Sequence, residues 1–539
     1  MGLNMVSIVF AHSVRRTAVV LSCAALFTPP SAAQDVPIDP PAGLDGYVNR
    51  VMGAFEVPGL ALAIVRNGQV VVARGYGVRQ IEHSDPVDEH TRFGIASNTK
   101  AFTATALALL VEEGRLEWDA PVIRYLPWFQ MWDPWVTREI TVRDLLVHRS
   151  GLGLGQGDLL GWPPSDRTRE EIVRAIRWLK PATSFRSAYA YDNVLYHVAA
   201  LVIESVSGLT WEDFVATRII EPLAMSDTRV SRASTREGGN VATPHAQVDG
   251  SVRPVRPFDA TNTNASGGIN ASATDMASWM LVQLDSGRVA GAGRLFSPRT
   301  TSELWSIVTP IPFDPPPPEL APLGRSFNGY GLGFAVRDYR GRQMVTHTGS
   351  LPGYVSRLTL IPGLDLGVVV LTNAEQGAAF ESITHHVLDY YLGAPEHDWL
   401  GAYVSLGARR DSARELQLRT ATVTRDTMSR PSLALAEYAG VYADPWYGNV
   451  VVEQAGGGLA IRFTRTPVLV GDLEHWQHDT FLVRWRDREL RADAYITFDL
   501  SPDGRIQAAR MVPASPAVDF SYDFQDLELT PKPAGSDSP

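Results

Sequence analysis

One cysteine, Cys23, is all that 539 residues contain, and it lies close to the N-terminus. If the chain is cut behind it, no thiol remains, and disulfides, thiolate catalysis and cysteine-bound zinc are excluded. Lysine is nearly as scarce. Of 48 basic residues only Lys100, Lys180 and Lys532 are lysines. Every other positive charge is arginine, which does not deprotonate in proteins. No basic patch offsets the net charge of −11, which argues against nucleic acid as a partner. The sequence holds no Gly-x-Ser-x-Gly, which excludes a nucleophile elbow, and no His-Glu-x-x-His. His475 and His478 stand without further ligand spacing, so they are read as structural, with no metal and no cofactor expected. No P-loop glycine pattern occurs.

What is present is globular, at 45% hydrophobic and 20% charged, and long enough for two or more domains. Arg15 and Arg16 precede an apolar run from Thr17 to Phe27, followed by Ser31-Ala32-Ala33. That is the pattern of a Sec-type signal peptide over residues 1–33, cut after Ala33, which places the protein in a periplasm or outside the cell. The run is too short for a permanent membrane span once the signal is removed. Cys23 is where a lipoprotein would be modified, but the apolar run continues past it.

Beyond residue 33 the pattern reads as α+β. Leu44 to Phe55 is helical, and two β-branched runs around Asn67-Gly68 predict a hairpin. Helical patterns follow at 101–113, 170–179, 196–207, 211–220 and 274–285, with a helix end at Arg143–Gly151. Residues 153–168 are a Gly/Pro/Asp-rich loop, and 310–322 a stiff proline-rich one, read as a surface connection in preference to a lid. Loops 153–190 and 310–326 are expected to shape the substrate pocket. A meander of antiparallel strands runs from Gly331 to Leu371, then a helix from Ala378 to Leu392. Residues 401–430 read as an arginine-rich linker, helical or irregular, 431–530 as a small all-β barrel, and 531–539 as a disordered tail.

The chemistry gathers at Ser97-Asn98-Thr99-Lys100, at the start of an alanine- and leucine-rich helix. Residues i and i+3 share a helix face, so a serine nucleophile and an amine base can meet there. A lysine kept where the chain otherwise uses arginine fits a need for an amine that can lose its proton. Tyr191 and Asn193 precede another helix and can face one cleft. A tyrosine with its pKa lowered by a nearby lysine can carry a proton, and an asparagine amide can orient a substrate amide. His347-Thr348-Gly349-Ser350 lies on a strand, where Gly349 lets a ligand approach the backbone.

In that order, Ser97-x-x-Lys100, Tyr191-x-Asn193 and His347-Thr348-Gly349 resemble the three active-site motifs of the serine β-lactamase and penicillin-recognising family. The likeness is to its class C branch with D-aminopeptidases and esterases. Leu145–Leu152, Glu221–Met225 and Ser266–Ile269 look similar too, and the resemblance covers residues 40 to 395. It implies a β-lactamase/transpeptidase-like antiparallel sheet flanked by helices with a helical subdomain, over residues 34–400. Residues 431–530 resemble a lipocalin-like domain appended to some of these hydrolases. The resemblance implies Ser97 as acylated nucleophile and Lys100 and Tyr191 sharing general base and acid, the first acceptor left open. It implies Asn193, His347, Thr348, Gly349 and Ser350 as substrate-binding residues, with the Ser97 and Ser350 N–H groups forming an oxyanion hole. A histidine at 347 replaces a permanent cation with a group expected to titrate near neutrality. That favours esterase or peptidase over β-lactamase. The implied substrate is a small molecule or peptide carrying an amide, ester or β-lactam. The rival reading is a scaffold that binds a cell-wall fragment without turnover, and the oligomeric state is not indicated.

Overall fold

The computed structural model describes residues 38–231, 233 and 238–533; the expected signal peptide and Cys23 lie outside them. Strands β1 (Gly59–Arg66) and β2 (Gln69–Gly77) form the expected hairpin, its turn made by Asn67 and Gly68, both at positive φ. With β3 (Thr309–Pro310), β4 (Asn328–Tyr330), β5 (Ala335–Tyr339), β6 (Arg342–Leu351), β7 (Tyr354–Ile361) and β8 (Leu366–Thr372) they make one antiparallel sheet. Its order is β2-β1-β8-β7-β6-β5-β4-β3. Every residue of β1, β7 and β8 is buried, because helices cover both faces of the sheet centre. Ala61, Ala63, Val65, Val369 and Leu371 share a core with Phe102 and Met280 on one face. Helix α5 (Gly377–Leu392) packs on β7 and β8 from the other.

Helix α2 (Thr99–Glu112) has no solvent face: Thr99 through Leu110 are buried. Phe102 stacks on Trp279 at 3.9 Å. Its low-entropy alanines let neighbouring helices approach from all sides. Helix α3 (Val194–Ser207), whose start carries Asn193 as N-cap, packs against it.

One sequence expectation changes, and one left open is decided. Arg143–Gly151 is a short 3₁₀ turn over Arg143–Leu146, not a helix end, because the buried Asp144 carboxylate takes Thr141 N–H, Arg149 and Arg186. The stretch expected as a linker is a 25-residue helix, α6 (Trp399–Val423), with Asp398 capping Gly401 N–H at 2.9 Å. Its first turns pack on α5 through Ala402 and Tyr403, and its remainder is exposed, which is why it shows no apolar face in the sequence.

The C-terminal barrel is eight antiparallel strands between Gly440 and Pro531, nearly closed by Ala509 N–H donating to Leu529 O at 2.8 Å. Strand Val470–Gln477 had no sequence expectation, its alternation being blurred by Glu474 and His475. Strand Thr530–Pro531 takes the start of the expected tail into the sheet by pairing with Tyr442 and Ala443; 534–539 lie outside the described residues. Aromatic rings occupy the interior, with Tyr438 5.0 Å from Phe498 and Trp485 5.7 Å from Phe524. Arg465–Asp166, Lys180–Glu528 and Arg491–Glu375 tie this barrel to the sheet-and-helix region before it. Exposed pairs of this kind contribute little each. The buried Asp523 contributes more, accepting Gly157 N–H at 2.7 Å and Leu159 N–H at 2.9 Å.

Candidate active site

Ser97 is fixed by the segment before it. Phe93–Gly94 pairs with Asn270–Ala271, and Ala96 is held at φ +50°, an unfavourable value for a residue with a Cβ. The 3₁₀ turn Ala96–Asn98 follows and runs into α2. Ser356 Oγ clamps the turn, accepting from Asn98 Nδ2 at 2.8 Å and donating to Ile95 O at 2.7 Å. A Cβ on Gly349 would lie 2.3 Å from Ile95 O and 2.9 Å from the Ala96 Cβ. Besides lining the cleft, where the sequence reading gave it to ligand approach, Gly349 admits the nucleophile's own loop.

Lys100 is fully buried. Its Nζ donates to Ser97 Oγ at 3.0 Å, Asn193 Oδ1 at 2.6 Å and Ser266 O at 2.9 Å, one acceptor for each N–H of an ammonium. The Tyr191 ring lies 4.8 Å from Nζ. Burial pushes the Tyr191 phenol well above its ordinary value, against a hydrogen bond with Ser97 that lowers it. This corrects the expectation of a tyrosine acidified by lysine: desolvation outweighs the Ser97 hydrogen bond, and the resting phenol is neutral.

His347 is also corrected. It lines the cleft, but burial and the Lys100 charge pull it down to about 3. Its Nδ1 bonds Thr348 O at 2.6 Å and its Nε2 meets Tyr330 Oη at 2.7 Å, so a neutral ring satisfies both contacts. It offers no cation to a substrate carboxylate. Thr348, Gly349 and Ser350 line the cleft, since β5 pairs with β6 only as far as Thr346 and leaves the edge beyond it open.

The cavity is about 520 Å³ and brings Ser97, Tyr191, Asn193, His347, Thr348, Gly349 and Ser350 together, with Lys100 directly behind Ser97. Loop 153–168 contributes Asp158, Gly161 and Trp162, whereas 310–326 does not reach it. Residues the sequence reading missed come from far away. Asp158 Oδ2 accepts from Asn193 Nδ2 and from Ser521 Oγ, both at 2.8 Å, so the chain beyond the barrel strands meets the same carboxylate that holds Asn193. Burial pushes Asp158 up to about 7. Asp519, Phe520 and Ser521 complete one wall, with the Phe520 ring 6.1 Å from Tyr191, and Glu375 adds a third carboxylate. Buried carboxylates beside a lysine were the available signal, but no local pattern links positions 363 residues apart.

A serine at a helix start, with a buried lysine one turn on and a tyrosine over both, defines a serine hydrolase of the Ser-x-x-Lys kind. The family pattern of beta-lactamases matches residues 44–391, more than half of the chain, and the protein belongs to that family. A domain of unknown function (DUF3471) matches residues 424–531. Unguisins hydrolase ungD of Aspergillus violaceofuscus is 27% identical over 498 residues, 86% of each chain. Protein flp of Staphylococcus aureus strain N315 is 25% identical over 341 residues, 61% of this chain and 62% of its own. Among solved structures, the octameric penicillin-binding protein homologue from Pyrococcus abyssi has TM-score 0.56 at 23% identity, covering 90% of this chain and 99% of that one. D-amino acid amidase from Ochrobactrum anthropi SV3 with D-phenylalanine has TM-score 0.52 at 23% identity, covering 65% and 98%.

Proposed function

We propose that the protein hydrolyses amides and esters whose acyl group carries a free amine, such as amino-acid amides and the first residue of short peptides. In the reactive form the Lys100–Tyr191 pair, which titrates as a unit, has lost one proton to solvent; Ser97 gives its own proton to that pair and attacks the carbonyl carbon. The tetrahedral oxyanion is held by the Ser97 and Ser350 N–H groups, charge that appears only in the transition state. Asn193 orients the substrate amide. The leaving amine or alcohol takes the proton back, and water then releases the acyl group from Ser97. The signal-like residues 1–33 add export to this proposal.

The observation that carries the reading is charge. Asp158, Asp519 and Glu375 line the cleft, and its histidine is neutral. Asp519 keeps exposed surface in the cleft, though burial of its carboxyl raises its pKa and one oxygen accepts Ser521 N–H at 2.9 Å, whereas Asp158 serves Asn193 and Glu375 serves Arg491. Such a wall attracts an ammonium and repels the carboxylate of a β-lactam or a C-terminal residue. The names of the hydrolase and amidase relatives add support for amide chemistry. The test is turnover of alanine p-nitroanilide (D and L) and p-nitrophenyl acetate by the wild type and Ser97→Ala, with mass spectrometry of the quenched enzyme. A covalent adduct on Ser97 with turnover lost in the variant is expected. Turnover surviving in the variant would mean another nucleophile, and no turnover or adduct in either would favour the scaffold.

A further inference from the structure

The face of the sheet away from Ser97 holds a second cavity, also about 520 Å³, between the sheet, the start of α5 and helix α6. Strand alternation decides what points there. Arg337 pairs with Met344 and Arg357 with Thr348, two positions of one face of β6. Arg357 reaches Glu381 on α5, which marks that face as the covered one. Arg325 arrives from the proline-rich loop and Arg410 from α6.

Few negative groups answer these four guanidiniums. Glu381 is shared by Arg357 and His385. Asp338 Oδ1 is taken by Ser326 N–H at 2.6 Å and Phe327 N–H at 3.0 Å. Among the described residues, no carboxylate lies within ion-pair distance of Arg325, Arg337 or Arg410. Arg337 Nε, Arg357 Nη2 and His385 Nε2 are buried without a hydrogen-bond partner, and the Arg357 and His385 side chains are each 1% exposed. Buried polar atoms are normally satisfied and buried charges paired, so Arg337 Nε and His385 Nε2 on residues of the cavity wall, with Arg357 Nη2 beside Glu381, point to a missing ligand. Burial, then repulsion from Arg357, pulls Arg337 down to about 9. Guanidinium keeps its proton at that value near neutral pH, so Arg337 stays a buried cation, with Glu381 as a partial counter-charge. Helix α5 opens here as well. Its 16 residues have no side-chain cap, and Gln376, Gly377 and Ala378 line the cavity, a helix start that favours negative charge.

We propose that this cavity binds an oxyanion, the carboxylate or phosphate group of a small molecule, gripped by Arg325 and Arg337 over the start of helix 377–392. The planar guanidinium fork matches both groups in two-point contact. Gly377 and Phe380 line this cavity and the Ser97 cleft alike, so the bound anion lies one side-chain layer from the substrate. Two sources share this chemistry: a free phosphate-type anion, or the carboxylate of a small molecule other than the substrate. The site itself does not depend on the hydrolase reading.

The test is thermal unfolding of the full chain in HEPES buffer, with sodium phosphate or sodium acetate titrated against sodium chloride of matched ionic strength. The wild type is expected to show a saturable rise in Tm beyond chloride. Arg337→Met and Arg325→Gln should each raise the half-saturating concentration by about tenfold or more. Without added oxyanion, turnover of p-nitrophenyl acetate should be unchanged in both, and Arg337→Met should melt no lower than wild type, since it removes a buried charge that is only partly compensated. A rise with phosphate alone assigns the free anion; a rise with acetate assigns the carboxylate. If Arg337→Met does not fold, the more exposed Arg325→Gln carries the test. No rise beyond chloride in the wild type, or a rise kept in a folded variant, overturns the proposal.

Discussion

Two cavities of equal volume, about 520 Å³ each, lie against one sheet and carry opposite charge. The Ser97 cleft is lined by three carboxylates, and its buried lysine has an acceptor for every proton. The other is lined by arginines, and buried nitrogens beside it have no acceptor at all. The partnering of cations is the difference between them. The lysine of the first is held by three acceptors and kept for chemistry. The arginine nitrogens of the second are placed to receive a charge.

The largest effect that could break this contrast is at the nucleophile. Ser97→Ala should lower kcat/KM by about 10⁴-fold or more, measured by steady-state hydrolysis. The next uses pH. Asp158 is raised from 3.8 to about 7 in the fold, so the folded state binds its proton more tightly than the unfolded chain does. Its contribution is full below pH 4 and is lost as pH rises through 7. The stability of wild type relative to Asp158→Asn should therefore fall by about 3 kcal/mol between pH 4 and pH 7, read from paired urea melts.

A third prediction concerns the wall supplied by the C-terminal region. Asp523→Ala leaves the Gly157 and Leu159 N–H groups without their acceptor and should cost about 2 kcal/mol in urea unfolding. It should lower activity too, because Ser521 would no longer be held against Asp158. A smaller effect is expected at the cleft mouth: Asp519→Asn should raise KM about tenfold for amine-bearing substrates and leave p-nitrophenyl acetate unchanged. The smallest is none. His347, pulled down to about 3, should contribute no inflection to the pH–rate profile between pH 5 and 8, and His347→Asn should keep that profile's shape.

How much of this was legible in the sequence follows from distance along the chain. Ser97 and Lys100 are one helical turn apart, and scarcity of lysine made the second conspicuous. Tyr191-x-Asn193 and His347-Thr348-Gly349 were recognisable as ordered motifs. Their electrostatics were not, because the burial that raises Tyr191 and lowers His347 is supplied by Tyr330, Tyr196 and the C-terminal wall. Asp158 and Ser521 carry no local signal of their contact. The alternation of Arg337 and Arg357 with apolar neighbours reads as an outward polar face. Only helices 377–392 and 399–423, the second expected as a linker, turn that face into a cavity.

The charge of the cleft is read from the ratio of kcat/KM for alanine p-nitroanilide to that for its N-acetyl and N-succinyl forms, taking the faster enantiomer. An acidic cleft predicts the free amine ahead of the acetyl form by about tenfold or more, with the negatively charged succinyl form slowest. A succinyl or other carboxylate-bearing substrate turned over fastest would contradict the account.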